Sequence, residues 1–324
     1  MARAEGRDAW RRDGAEQPAG GQSRWPARKR DQGWPYETAA SQRTGRLIRR
    51  QPSVLPGFGL TFGFTTFFLS ALVLLPLAAL VFMAASMSWS EFVHVVSSAR
   101  ALDSYRLSFG ASFLAASINL VFGFVIAWTL VRYRFPGRKL VDALIDMPFA
   151  LPTAVSGIAL TTVFAQNGWI GQYLSVFGVR VAYTWIGVTV ALTLIGMPFM
   201  VRTLQPAIGE VQRDLEDAAE TLGAGRLYVF RRIVLPTVLP AMLTGFTLAF
   251  ARAVGEYGSV IFIAGNIPKK TEITPLLIVI HLQEFDYRGA AALGVVMLVM
   301  SFVVLLTINL IHSWGRRRIV ATAH

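Results

Sequence analysis

The chain has 324 residues, 54% of them apolar, a mean hydropathy of +0.49 and a formal net charge of +12. That apolar share exceeds what a soluble domain needs to fill its core and marks an integral membrane protein. With no cysteine present, disulfide, thiolate and cysteine–metal chemistry are excluded.

Residues 1–54 are rich in Arg, Gly, Gln and Pro, with too few apolar residues to form a core. They are expected to be a disordered basic cytoplasmic tail whose clusters, such as Arg28-Lys29-Arg30, favour anionic membrane lipid. The stretch lacks the apolar centre of a signal peptide, and Glu5, Asp8, Asp13, Glu16 and Asp31 argue against an organelle transit peptide. A bacterial inner membrane is the expected location.

Six apolar windows follow, each long enough to cross about 30 Å of hydrocarbon as a helix. They run roughly Leu60–Ala84, Leu107–Val131, Leu140–Phe164, Tyr183–Val201, Leu239–Ala264 and Gly289–His312. The fold class is therefore all-α, a polytopic membrane protein of about six transmembrane helices. The transmembrane domain is expected over 55–313, with a C-terminal tail over 314–324. Gly245, Gly255 and Gly258 interrupt the fifth window, so a broken helix and a seven-span count are also open.

Between the first two windows, Trp89, Phe92 and Tyr105 predict an external segment at the membrane interface. The third window holds Asp142, Asp146, Pro148 and Pro152. The two prolines predict a kink or an opening there, a joint that stands near a pathway or simply bends a packing helix. After it, Asn167-Gly168 signals a turn, and Trp169, Tyr173 and Phe177 predict a second surface segment. In the last external loop Leu276–Leu282 reads as a short re-entrant or interfacial helix.

Basic residues are one-sided. The N-terminal tail, the Arg132–Lys139 loop, the Arg202–Arg232 loop and Arg316–Arg318 hold about 24 of the 31 Lys and Arg, and the alternate loops hold about six. The positive-inside rule then puts both termini in the cytoplasm, which needs an even number of spans. This distribution explains the net charge without a nucleic-acid partner.

The cytoplasmic stretch DLEDAAETLGAGRLYVFRRIVLP is the most informative in the chain. Asp214 is placed to cap a helix, with Glu216, Asp217 and Glu220 suiting its positive end. Leu215, Ala218, Ala219 and Leu222 share a face, and Gly223 is a natural stop. Small side chains on a short surface helix let another backbone approach closely, so the helix is suited to docking; from these features alone an ordinary connecting hairpin is equally open. A basic, aromatic helix with Tyr228, Phe230, Arg231 and Arg232 is expected next, and Pro236 and Pro240 are read as marking the return into the membrane.

Asp217-Ala218-Ala219, Gly223, Ile233 and Leu235-Pro236 resemble the EAA loop of the membrane subunits of bacterial ATP-binding-cassette importers. Asp217 stands where that family usually has Glu. The resemblance narrows further: Val54-Leu55-Pro56-Gly57-Phe58, VRYRFPGRKLVDALIDMPFALPTAVSGIAL, MPFMVRTLQP and ARAVGEYGSVIFIAGN are similar to the sulfate/thiosulfate permeases, to their T-type subunit. It covers about Leu55 to Leu310, with a core transmembrane region at about 105–310.

The resemblance implies the type I importer permease fold and a non-catalytic subunit that moves sulfate inward by alternating access. The implied partners are a second related permease, two ATPase subunits carrying ATP and Mg, and a periplasmic sulfate-binding protein. From the residues themselves, the sequence contains no G-x-x-x-x-G-K-[ST] phosphate loop, so energy has to come from a partner.

Arg252 and Glu256, four residues apart inside an apolar run, fall on one helical face and can pair. Two roles are open: a structural clasp, or a pathway lining in which Arg252 attracts a dianion and Glu256 prevents its trapping. Thr153, Ser156 and Ser259 offer hydroxyls to an oxyanion, or bond to their own backbone. The four His, including His281 and His312, are scattered and suggest no metal site. The competing functions are a molybdate or tungstate permease, which shares Gly-Glu-Tyr/Phe-Gly elements, and a stand-alone secondary transporter or membrane enzyme.

Overall fold

The computed structural model describes residues 58–321. The expected basic tail, residues 54–57 of the proposed resemblance and the His312 side chain lie outside what is described. The packed body is the second of two compact units, Phe64–His324; of the first, Met1–Gly63, only Phe58–Gly63 are described, as the start of the first helix. All regular structure among the described residues is helical.

Helix α1 (Phe58–Ala85) has no charged residue and buries only Ala84, so its whole surface suits lipid or another apolar protein surface. Helix α2 (Trp89–Val96) is short and amphipathic. Ser88 caps it by accepting the Glu91 N–H at 3.3 Å, and Trp89 stacks on Phe92 with ring centroids 5.7 Å apart. Helix α3 (Ala99–Arg132) is capped by Ser98 and begins eight residues before the expected window. Tyr105, expected in the interfacial segment, is part of α3 and is buried against the protein.

The third window is interrupted as its prolines predict. Helix α4 (Arg138–Ala150) and helix α5 (Thr153–Phe164) meet at a bend of 115°. Leu151 takes an extended conformation because the Pro152 ring excludes helical geometry from the residue before it. Helix α6 (Gly171–Val176) follows the Asn167-Gly168 turn, with Trp169, Tyr173 and Phe177 exposed as expected. Helix α7 (Trp185–Gly209) runs eight residues past its window.

Helix α8 (Arg213–Thr221) leads through Gly223 to helix α9 (Arg226–Val229), a π-turn over Phe230–Val234 and helix α10 (Leu235–Val254). These last three form one continuous apolar helix from Arg226 to Val254. Pro236 and Pro240 thus sit inside a continuous helix. The physical reason is the π-turn: the Leu235 N–H reaches the Phe230 carbonyl five residues back, and this widened turn stands just where the Pro236 ring would crowd the Arg232 carbonyl.

The fifth window breaks after Val254, and helix α11 (Gly258–Ala264) continues beyond it. Helix α12 (Thr274–Gln283) covers the expected short helix, with Leu276 and Leu277 buried in the core. Helix α13 (Tyr287–Ala321) extends into the expected C-terminal tail.

Helices α3, α7 and α10 form the centre. Ala111, Ala115, Ala191 and Ala253 line one end of it, and Leu130, Met200, Leu204 and Val238 the other. Small residues let these helices approach: a Cβ added at Gly123 or Gly245 would meet the Met200 side chain at 2.7 or 2.6 Å.

Helix α4 lies antiparallel to α7, with Phe149 edge-on to Phe199 and Asp142 and Asp146 on Arg202. Helix α5 packs on α11, and α11 packs near the start of α7, where Ile263 faces Gly187. The bent pair therefore passes from one end of α7 to the other. Five described helices are long and apolar enough to cross a membrane, and the count reaches six, the expected number, when the bent pair is taken as one span.

Candidate functional site

Helix α8 buries no residue of its own. Its N-cap is Gln212, so Asp214 is not the cap but a first-turn acid that favours the positive helix end. Gly223 adopts φ +85°, where its N–H bonds the Glu220 carbonyl at 2.9 Å and the Ala224 N–H bonds the Ala219 carbonyl at 3.0 Å. This double closure satisfies the last carbonyls and stops the helix with a residue free of Cβ strain. Leu215, Leu222, Leu227 and Tyr228 are all exposed around it, with Leu222 at 89%. Asp217 and Ala218 are exposed, Ala219 and Ile233 half-buried, and Leu235 and Pro236 lie in the continuous helix beyond the π-turn.

Two contacts fix this loop to the membrane body. Glu216 accepts a hydrogen bond from Arg132 at the end of α3, and the Arg132 guanidinium lies 4.9 Å from the Trp128 ring centre. Phe230 in the π-turn packs edge-on to Trp128 and Phe124.

The second cluster is the break between α10 and α11. Arg252 Nη1 reaches Glu256 Oε2 at 2.6 Å. The other carboxylate oxygen accepts from the Ser259 N–H at 3.0 Å and the Ser259 hydroxyl at 3.1 Å. Glu256 is only 2% exposed and Arg252 is partly exposed. The pair thus ties the end of α10 to the first turn of α11, within this chain.

Helix α5 closes on the same place. A Cβ at Gly258 would lie 2.2 Å from Thr153 Oγ1, and one at Gly157 would lie 2.4 Å from the Ser259 carbonyl oxygen. Arg252, Glu256, Ser259 and Thr153 are therefore brought together, and Ser156 is buried on α5 beside Gly157. The Ser259 hydroxyl is engaged by Glu256, which differs from both roles expected for it.

Sequence reasoning missed three polar contacts. Arg202 donates to Asp146 Oδ1 at 2.9 Å, Asp142 Oδ1 at 2.8 Å and Gln205 Oε1 at 2.6 Å, joining α4 to α7. Arg100 clamps Glu272 through two hydrogen bonds of 2.7 Å. Arg132–Glu216 is the third. The four-residue spacing of Asp142 and Asp146 was a usable signal for the first; for the others the partners are 172 and 84 residues apart, and no local pattern announces them. Among the described residues no group of three or more His, Cys, Asp or Glu is placed to hold a metal.

The sequence model of the family described as binding-protein-dependent transport system inner membrane component matches residues 119–320. This chain belongs to that family. The match takes in the α8 loop, the interrupted α4–α5 pair and the Arg252–Glu256 break. Among relatives of this inner membrane component is the sulfate transport system permease protein CysT of Salmonella typhimurium, 49% identical over 267 residues, covering 82% of this chain and 96% of that one. Among solved structures, a bacterial ABC transporter involved in the import of the acidic polysaccharide alginate is similar with a TM-score of 0.66 at 18% identity, covering 79% of this chain and 96% of that one. A second structure of a bacterial alginate ABC transporter, in complex with an alginate pentasaccharide-bound periplasmic protein, gives 0.63 at 19% identity, with 78% and 93% covered. These likenesses give the family's inner membrane component the fold of an ABC importer permease.

Proposed function

We propose that the chain is the membrane-spanning permease subunit of an ATP-driven importer that carries sulfate, and thiosulfate with it, into the cytoplasm by alternating access. The observation that carries this reading is the 49% identity to a permease named for sulfate transport, extending over 96% of that relative's length. Molybdate or tungstate is not favoured beside it. A stand-alone secondary transporter is opposed by the exposed apolar face of α8, which is suited to a partner protein.

In this reading α8 and its flanks, from Asp217 to Pro236, dock into an ATPase subunit. Two such subunits bind ATP and Mg and perform the hydrolysis, and the chain itself is not an enzyme. A second related permease, a periplasmic sulfate-binding protein and membrane lipid complete the surroundings; a periplasmic protein bound to the similar alginate transporter supports the periplasmic kind of partner. Both termini are cytoplasmic on the strength of the basic loops.

In this reading the Arg252–Glu256 pair is first a clasp that ties α10 to α11, and the second reading places it along the pathway. Arg252 supplies positive potential to the dianion, and Glu256 offsets it so that the anion is not held. Thr153, Ser156 and Ser259 shape the same joint, and Ser259 does so through Glu256.

Labelled sulfate uptake in cells lacking and then regaining this subunit tests the reading. Restored sulfate uptake is expected; restored molybdate accumulation with unchanged sulfate uptake would overturn it. For docking, Gly223→Pro is expected to abolish co-purification of the ATPase, and unchanged association would count against the α8 assignment.

A further inference from the structure

We infer that the Arg132–Glu216 pair is a latch through which the ATPase-docking helix α8 drives α3, so that α3 shifts against α7 and α10 during transport. The inference rests on the importer reading above and adds a route for the motion. By chain connection α8 is joined only to α7 and α9. The latch gives it a third attachment, 84 residues away in sequence.

The attachment is well suited to carry force. Arg132 and Glu216 side chains are 11% and 21% exposed, so separating them leaves two poorly hydrated charges. Trp128 lies under the guanidinium and also meets Phe230, so the end of α3 grips the first turn of α8 and the π-turn that leads into α10 together. A displaced α8 cannot leave α3 behind without breaking this cluster.

The opposite face of α3 shows which interface gives way. Ser112 and Asn119 lie seven residues apart on one face, are fully buried, and have no hydrogen-bond partner for the Ser112 hydroxyl or for either amide atom of Asn119. Buried polar groups are nearly always paired. Asn119 Nδ2 stands 2.6 Å from the point a Cβ on Gly196 would occupy, and the Ala249 carbonyl oxygen stands 3.6 Å from that same point. A small slide or rotation of α3 over the Gly196 gap brings the amide toward that carbonyl. The present arrangement is therefore one end of a movement whose other end recovers a hydrogen bond.

The test uses the assembled complex in liposomes. Glu216→Gln and Arg132→Gln are each expected to keep the ATPase bound while sulfate carried per ATP hydrolysed falls about fivefold or more. The paired exchange Arg132→Glu with Glu216→Arg is expected to recover part of the loss. An unchanged ratio in the single variants overturns the latch.

Should the variants fail to assemble, the native complex still decides. The chain has no cysteine, so Val125→Cys on α3 and Leu239→Cys on α10, both exposed, accept spin labels without background in this subunit. With cysteine-free partners, the label distance is expected to change between nucleotide-free and ATP-bound complexes; a fixed distance overturns the latch. A complex that shows the change yet carries no sulfate supports the latch and refutes the substrate reading.

Discussion

Glu256 accepts two hydrogen bonds from Ser259 and pairs with the Arg252 guanidinium, in a site with almost no contact with solvent. Glu256→Gln removes the counter-charge of Arg252 and is expected to cost on the order of 2 kcal/mol, read as a lower unfolding temperature of the purified protein. Arg252→Met with Glu256→Met is expected to restore folding, since an apolar pair carries no unmatched charge. If the double variant then assembles but does not transport, the pathway role gains; normal transport by both the single and double variants would remove clasp and pathway alike.

Asp286, in the turn between α12 and α13, offers a pH test. The Gly289 N–H at 2.9 Å, with His281 at 2.8 Å, holds its carboxyl below the usual carboxylate range. A lowered folded value means stabilisation that is present above about pH 4, the unfolded value, and is lost as pH falls through the folded one. Half-exposure keeps the effect small. Asp286→Asn is expected to flatten the acid limb of the unfolding profile, and an unaltered limb would contradict the assignment. At this scale the Arg252–Glu256 pair was readable from its spacing, whereas Arg132–Glu216 was not, because only the folded chain places them together.

Among elements, the contact of α5 with α11 is the most sensitive to added volume. Gly157→Ala puts a Cβ 2.4 Å from the Ser259 carbonyl oxygen, so the two half-helices have to separate. The expected cost is about 1–3 kcal/mol in thermal unfolding. Gly110→Ala in α3 is the control: nothing lies within 4 Å of its added Cβ, and it is expected to be neutral or slightly stabilising. Equal effects of the two would argue against the close contact. Pro148, Pro152 and Gly255 made both breaks visible in the sequence. The continuity from Arg226 to Val254 was hidden, because a proline reads as a helix boundary unless a π-turn makes room for it. The N-cap of α8 was misplaced by two residues for a related reason: Asp is the better capping side chain, but the loop from Val211, whose side chain is buried, begins the helix at Arg213.

For the molecule as a whole, the apolar windows and the basic loops between them were legible because span length and charge asymmetry are imposed by the bilayer. Their ends were not, since packing extends α3, α7 and α13 past the apolar runs. Orientation has a direct test in a chain without cysteine. Val176→Cys, exposed at the end of α6, is expected to react with an impermeant maleimide in intact cells, and Leu222→Cys only after permeabilisation; the reverse would invert the topology. Helix α3 adds a consequence of its own. Its 34 residues measure about 51 Å along a straight axis, against a hydrocarbon thickness of about 30 Å. Charges bracket its apolar stretch, with Arg106 at one side and Arg132 at the other. Shorter or longer lipid tails are therefore expected to alter the tilt of α3, and through the Arg132–Glu216 pair the orientation of α8. The acyl-chain length of the surrounding membrane thereby reaches the cytoplasmic α8 through one side-chain pair.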